Sequence, residues 1–468
     1  AWRRTMLGTL TVLLSRWQFA ATTIYHFLFV PVTIGLAFIV AVIQTKAYRA
    51  GDDRYQQLLD FFGKLFLINF AIGVVTGIVQ EFQFGMNWSV YSAYVGNIFG
   101  PPLAIEGLLA FFMESTFLGV WLFGKDRVPP KVHLASIWLV SIGTMLSAAF
   151  ILSANAWMQH PVGYRIDPAT HQAIMTNFWA ILTNEVFLVS LFHTLLASLM
   201  TAAVLVLGIS LWHLHRGPRS REVFGTGARV SLVVLLISSV LMALDGHIEG
   251  QVEVTTQPMK MAAGEALYTT TKGAPESILT IGNLHDKPIF TIGIPHLLSL
   301  LATDHWNGVV QGINQLQAEM VKRYGPGSYI PPVALDYWSF RIMAGIGVVI
   351  LALAIWGAWL LYHHRLEQSR WFAKAALWAI PLPFIANTTG WIFTETGRQP
   401  WIVYGLLKTS QAASHLSAVS VGITLAGFTA LYGILALVDV GLMVRYGRRS
   451  LEQPTEEIAD EEVGSLIY

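Results

Sequence analysis

Two histidines, a methionine and three carboxylates lie in long apolar stretches, where such groups are costly to place and usually functional. His26, His193 and Met343 each fall about six to nine residues inside an apolar segment. At 1.5 Å per residue all three reach a depth of roughly 9 to 14 Å below one surface. Imidazole and thioether are haem-iron ligands, and a His and Met pair raises the potential of a low-spin haem. Three such groups at one depth on three helices are what a cofactor in a bundle core needs. A lone histidine serves equally as a hydrogen-bonding residue between helices, and Met343 alone is ordinary packing. Spacing leaves both readings open. The His363-His364 pair beside Arg365 reads as a solvated helix terminus.

The carboxylates carry a sharper signal. Glu106 and Glu114 share one segment, eight residues and roughly 12 Å apart along a helix. A carboxyl in apolar surroundings can take up a proton and pass it on, whereas pairing with Lys or Arg would make it structural. Glu395 precedes Arg398 by three residues, so both can share a helix face. A simple surface ion pair accounts for that spacing as well.

These residues need elements that hold them at depth. Of 468 residues 54% are hydrophobic and 12% charged, against about 25% charged in soluble domains, so the implied solvent is a bilayer. A net charge of +1 argues against nucleic-acid binding, which needs a basic surplus. Zero cysteine excludes disulfides, iron–sulfur clusters, thiolate haem ligation and a cysteine nucleophile. Any metal must be held by His, Met, Glu or Asp.

Stretches long enough to cross a membrane run over 17–45, 58–83, 98–123, 132–158, 184–213, 225–248, 337–362, 371–395 and 411–445. The first is too long for a signal peptide and reads as a retained helix. The expected fold is an all-α integral membrane protein, a bundle of nine transmembrane helices with one long extracytoplasmic loop. Its parts are helices one to six over 1–245, the loop over 246–336, helices seven to nine over 337–445 and a cytoplasmic tail over 446–468.

Lys and Arg cluster in alternate connections, at Lys46 to Arg54, Lys125 to Lys131, Arg216 to Arg221, Arg365 to Lys374 and Arg445 to Arg449. Those ends face the cytoplasm. The N-terminus and the long loop then lie outside, and the acidic tail, Glu456 to Glu462, lies inside a bacterial cell membrane. Arg3, Arg4 and Arg16 go against the trend and are outvoted.

Several strings carry a family resemblance: Tyr25-His26-Phe27-Leu28-Phe29-Val30-Pro31, Gly63-Lys64-Leu65-Phe66, Glu81-Phe82-Gln83-Phe84-Gly85, Ile105-Glu106-Gly107 through Met113-Glu114-Ser115-Thr116, Phe340-Arg341-Ile342-Met343 and Gly397-Arg398-Gln399-Pro400-Trp401. In this order, from about residue 15 to 445, the chain resembles subunit I of cytochrome bd-type quinol oxidases. The resemblance implies a low-spin haem b, a high-spin haem b and a haem d, with quinol as electron donor and O2 reduced to water. It makes His193 and Met343 the axial pair of the low-spin haem. His26 and Glu395 become the ligands of the other two, with their pairing open. Glu106 resembles the carboxylate beside those haems, and Glu114 with Ser115 part of a proton path. Arg16, Arg341, Trp391 and Arg398 resemble groups around the haems and their propionates.

In the long loop, Lys260 and Glu265 match the quinol-site residues of what the family calls the Q-loop, here of the short type. Glu185 after Asn184 departs from the pattern, which leads one to expect an uncharged residue. The resemblance also implies a second subunit, a small single-span accessory subunit, and menaquinol or ubiquinol as substrate. Quinol would be oxidised outside and O2 reduced with cytoplasmic protons, an electrogenic reaction without a pump. Two other readings of the same residues are a quinone-reactive cytochrome b that only transfers electrons and a proton-coupled transporter.

Overall fold

The computed structural model describes residues 2–214, 216–281, 290–449 and 451. Among these, nine helices are long and apolar enough to cross a membrane. Span one is Trp2–Ala50, span two Asp53–Met86, span three Ser89–Phe123, span four Pro130–Gln159 and span five Glu185–His213. Span six is Pro218–Thr256, span seven Val333–Tyr362, span eight Arg370–Thr396 and span nine Ala418–Gly447. Short connections at one end carry most of the Lys and Arg, and this is termed the basic end. The loop end carries the 76-residue connection between spans six and seven, residues 257–332.

Several helices depart from the expected limits for local reasons. Span six runs on to Thr256, past the expected 248, because Glu249, Gln251 and Glu253 are good helix formers although polar. Span three begins at Ser89, ahead of Pro101-Pro102, and widens into a π-helical turn over Glu106–Phe111. Such turns are rare and gather at functional sites. Span eight breaks at Pro381 into Arg370–Ala379 and Leu382–Thr396, since proline lacks an N–H and clashes with the preceding turn. Span nine starts at Ala418 because the stretch before it folds as a hairpin, Trp401–Val403 with Leu407–Lys408, and a 3-10 turn. The acidic stretch Glu456 to Glu462 lies outside the described residues. At Glu185 the unexpected carboxylate occupies the first turn of span five, where the helix dipole favours it.

Toward the basic end, spans one, two, five, six, seven and eight close on a dense core around Leu36, Phe62, Phe66, Val204, Phe224 and Phe372. Small residues permit the close approach, as membrane helices gain from backbone contact rather than from excluding water. A Cβ on Gly35 of span one would lie 2.2 Å from the Ser198 carbonyl oxygen of span five. Polar pins fix the rotation of the helices. Gln18 donates to Gln83 at 2.7 Å, Thr424 donates to Gln18 at 2.8 Å, and Asn69 donates to the Phe29 carbonyl at 2.9 Å and to Thr33 at 2.8 Å, on either side of Pro31. Spans three and nine have only 11% of their apolar windows buried, so their outer faces belong to lipid or a partner subunit.

The long connection is folded. A short helix, Pro258–Gly264, packs against span seven, and the strands Glu276–Ile281 and Phe290–Ile294 pair antiparallel. Helix Ile313–Tyr324 buries Ile313, Leu316 and Met320 against Tyr329, Tyr337 and Trp401. His363 and His364 are exposed at the end of span seven, the expected solvated terminus.

Gly35→Ala is expected to force spans one and five apart and to cost at least about 1–3 kcal/mol. Thermal unfolding of the detergent-solubilised complex measures it, and an unchanged midpoint would show that the two helices can slide without loss.

Candidate active site

Above the dense core, spans five, six, seven and eight separate toward the loop end. They leave a cleft of about 1710 Å³ of atom-free space, counted out to its mouth. His193 of span five and Met343 of span seven both line it, with Trp391 of span eight. The axial pair suggested by the sequence therefore shares one cavity. Opposite the Met343 sulfur is Gly390, where a Cβ would come within 2.9 Å of Sδ. His193 Nδ1 lies 2.9 Å from Glu249 and 3.2 Å from Asp245, both on span six. These three groups hold their ligand atoms within 4.8 Å of one another, a geometry that fits a small metal ion or an imidazole held by carboxylates.

Lys260 and Glu265 also line the cleft, brought there by the short helix Pro258–Gly264 that follows the extended span six. The Lys260 ammonium is 3.2 Å from Glu253 and 4.8 Å from the Phe393 ring centroid. Its stem crosses Gly397, where a Cβ would meet Lys260 Cγ at 2.5 Å. Arg341 of span seven donates to both Glu265 oxygens, through Nη1 at 3.1 Å and through Nη2, and its Nη1 is also 3.3 Å from Glu276. Burial holds the Glu265 carboxyl above its ordinary range against the pull of Arg341. Burial, and then the charge of Glu265, push Glu276 up to about 8. Arg341, expected beside a propionate, is thus committed to two carboxylates.

His26 faces away from this cleft. Its Nδ1 is 3.0 Å from the Thr76 hydroxyl of span two, and the ring lies over Gly77, where a Cβ would come within 3.1 Å of it. Its neighbour Phe27 lines the cleft and packs edge-on against Trp391 at 5.1 Å. Glu395 accepts from Asn155 at 2.9 Å and from Arg398 at 2.5 Å. Arg398 is 2% exposed and Glu395 half-buried, so the pair is anchored on a buried guanidinium and is not the simple surface ion pair that spacing allows. Its Nε and Nη1 are buried without a partner.

In span three, Glu106 accepts from Ser147 at 2.6 Å, and Glu114 is buried with Oε1 unpartnered. Among the described residues no Lys or Arg is paired with either, which removes the structural reading. Ser115 is not brought to this group. It is exposed, and its hydroxyl donates to the Phe111 carbonyl at 2.8 Å. Arg16 is also exposed, and it forms none of the ion pairs among the described residues.

Asp245, Glu249 and Glu253 escaped the sequence reading. Their spacing of four puts them on one helix face, a signal visible only once span six is allowed to continue past 248. Asn155 and Glu276 carry no such signal.

The family described as cytochrome bd terminal oxidase subunit I matches residues 14–451. The chain belongs to this family. It is similar to cytochrome bd ubiquinol oxidase subunit 1 of Bacillus subtilis (strain 168), 44% identical over 446 residues, 94% of each chain. It is also similar to cytochrome bd-II ubiquinol oxidase subunit 1 of Escherichia coli (strain K12), 37% identical over 512 residues, 95% of this chain and 98% of the relative. Among solved structures, the bd oxidase from Geobacillus thermodenitrificans matches with a TM-score of 0.86 at 30% identity, over 95% of this chain and 99% of that one. A terminal oxidase subunit is neither a proton-coupled transporter nor a cytochrome that stops at electron transfer.

A cytochrome carries haem, and the residues fit it. His193 and Met343 border one cavity, glycines lie against Met343 and His26 where a side chain would intrude, and Arg398 keeps two buried N–H groups free for an anionic substituent. Glu395 uses one direction on each oxygen, and a carboxylate has about four lone-pair sites, so it too can still ligate iron.

Proposed function

We propose that this chain oxidises quinol at its loop end and reduces O2 to water with protons drawn from the basic end, generating a membrane potential without pumping. The observation that carries this reading is that Lys260 and Glu265 line the same cleft as His193 and Met343. A quinol head group held by the first pair is then next to a haem held by the second. Low-spin haem b at His193 and Met343, with high-spin haem b and haem d at His26 and Glu395, would supply one-electron transfer and the reduction of O2.

The chain's own residues manage position and protons. Lys260, tethered by Glu253, presents a hydrogen-bond donor to a quinol oxygen, and Glu265 accepts the proton that leaves. Asp245 and Glu249 hold His193 by Nδ1, which leaves Nε2 for iron. On the other side of the bundle, Glu114 and Glu106 form a two-carboxyl relay along span three, with Ser147 orienting Glu106. Glu114 is the member nearer the basic end, and its unpartnered oxygen is free to exchange a proton. Asn155 and Arg398 fix Glu395, and the free N–H groups of Arg398 would meet a propionate.

The basic end is assigned to the cytoplasm by its Lys and Arg, which places the 257–332 connection and the N-terminus outside. The barely buried faces of spans three and nine suit a second subunit and a small single-span accessory subunit. Menaquinol and ubiquinol both suit a cleft in which the ammonium of Lys260 and the carboxyl of Glu265 are presented together.

Glu265→Ala and Lys260→Ala are each expected to raise the KM for quinol or to lower turnover by roughly 10- to 100-fold, with all haem bands intact. Unchanged quinol kinetics in both variants would move the donor site elsewhere. Glu114→Gln keeps shape but cannot carry a proton. In proteoliposomes it is expected to retain rapid oxygen binding and to lose the slower, proton-linked charge movement, and wild-type charge movement would remove Glu114 from the path.

A further inference from the structure

Glu276 has been given no role in the site described so far. It sits at the start of the strand Glu276–Ile281, outside the cleft lining, with its side chain 20% exposed. Its carboxylate is nevertheless 3.3 Å from Arg341 Nη1, the same nitrogen that donates to Glu265 at 3.1 Å. One guanidinium thus joins a carboxylate that lines the cleft to a second one behind it, nearer the loop-end surface.

We propose that Glu276 takes the proton that Glu265 receives from quinol and releases it to water at the loop end. The inference rests on Glu265 being the group that meets quinol. Two carboxylates around one cation leave a surplus negative charge, and one added proton removes it. Arg341 does not swing away to end the coupling, since Tyr337 and Phe340 flank its guanidinium at 5.0 Å each. The strand is likewise fixed, with the Ser277 hydroxyl 2.7 Å from Tyr337 and 2.8 Å from Thr280.

For each proton, a quinol O–H bond breaks as the Glu265 O–H bond forms. That bond breaks in turn as the proton moves to Glu276, and Glu276 then gives it to water. The two electrons of each quinol would be accepted one at a time by the haem that His193 and Met343 would hold. Glu265 ends each transfer ionised and ready for the second proton.

Among the described residues the charged groups facing Glu276 are Glu265 and Arg341 on its inner side, with Tyr337 reached through Ser277. Among the described residues, the paired strand Phe290–Ile294 and the helix Leu297–Thr303 carry no titratable side chain. Glu276 titrates at about 8, raised first by burial and then by Glu265, with Arg341 opposing. It accepts a proton only when ionised, so quinol turnover should rise with pH through this value.

The test compares Glu276→Gln, Glu276→Asp and Glu265→Gln with wild type in the purified, haem-loaded complex, measuring quinol oxidation from about pH 6 to 10. Glu276→Gln is expected to lose the limb near pH 8 and about tenfold in kcat above it, with KM within about twofold of wild type. Glu276→Asp should restore a limb at a displaced pH. A merely structural glutamate would leave the pH profile in place, and a wild-type limb with wild-type kcat in Glu276→Gln overturns the proposal. Should Glu276→Gln lose its haem bands, Glu276→Asp decides: a displaced limb supports the relay and an unmoved one refutes it. Wild-type kinetics in Glu265→Gln would instead defeat the reading of Glu265, and the relay with it.

Discussion

A charge buried at membrane depth must find a partner or neutralise itself, because the desolvation cost exceeds what an unpaired ion can recover. This constraint organises the loop half of the bundle. Lys260 is held by Glu253, Arg341 by Glu265 and Glu276, and Arg398 by Glu395, while Asp245 and Glu249 lie beside the His193 ring. Around the cleft, carboxylates outnumber these cations. That surplus suits a site that receives protons from a substrate on one side and holds a cationic metal on the other.

The two halves of the bundle divide the labour. Toward the basic end, aliphatic and aromatic side chains close the core, and glycines let the helices touch. Toward the loop end the same helices spread and the connection between spans six and seven folds over them, which gives a cleft with rigid walls. Polar pins such as Gln18 with Gln83 and His213 with the Gly447 carbonyl hold the helices in rotation, so His193 and Met343 are aimed by their helices and not by a loop. Glu106 and Glu114 lie apart from Lys260 and Glu265, on span three, where a π-helical turn begins at Glu106.

Most of the architecture was legible because transmembrane helices are written in composition: each apolar stretch became a helix of the nine. For His193 and Met343 depth alone left hydrogen bonding and packing open, and the family resemblance singled them out; the structure lines one cleft with both. His26 shares that depth but not that cleft, since its Nδ1 lies 3.0 Å from the Thr76 hydroxyl of span two. Helix rotation, which depth does not encode, made that difference. Glu249 and Glu253 were hidden by reading a polar stretch as the end of a helix, although their spacing was helical throughout. Glu276 could not be found from sequence, because its place beside Arg341 depends on a strand pairing within the long connection.

The central claim is that the cleft between spans five and eight holds a low-spin haem between His193 and Met343. The direct measurement is the reduced-minus-oxidised optical spectrum of the purified complex, compared among wild type, His193→Ala and Met343→Leu. The account predicts that either substitution removes the low-spin haem b band and leaves most of the far-red haem d band, since that haem is held elsewhere. A full low-spin spectrum in His193→Ala would contradict it.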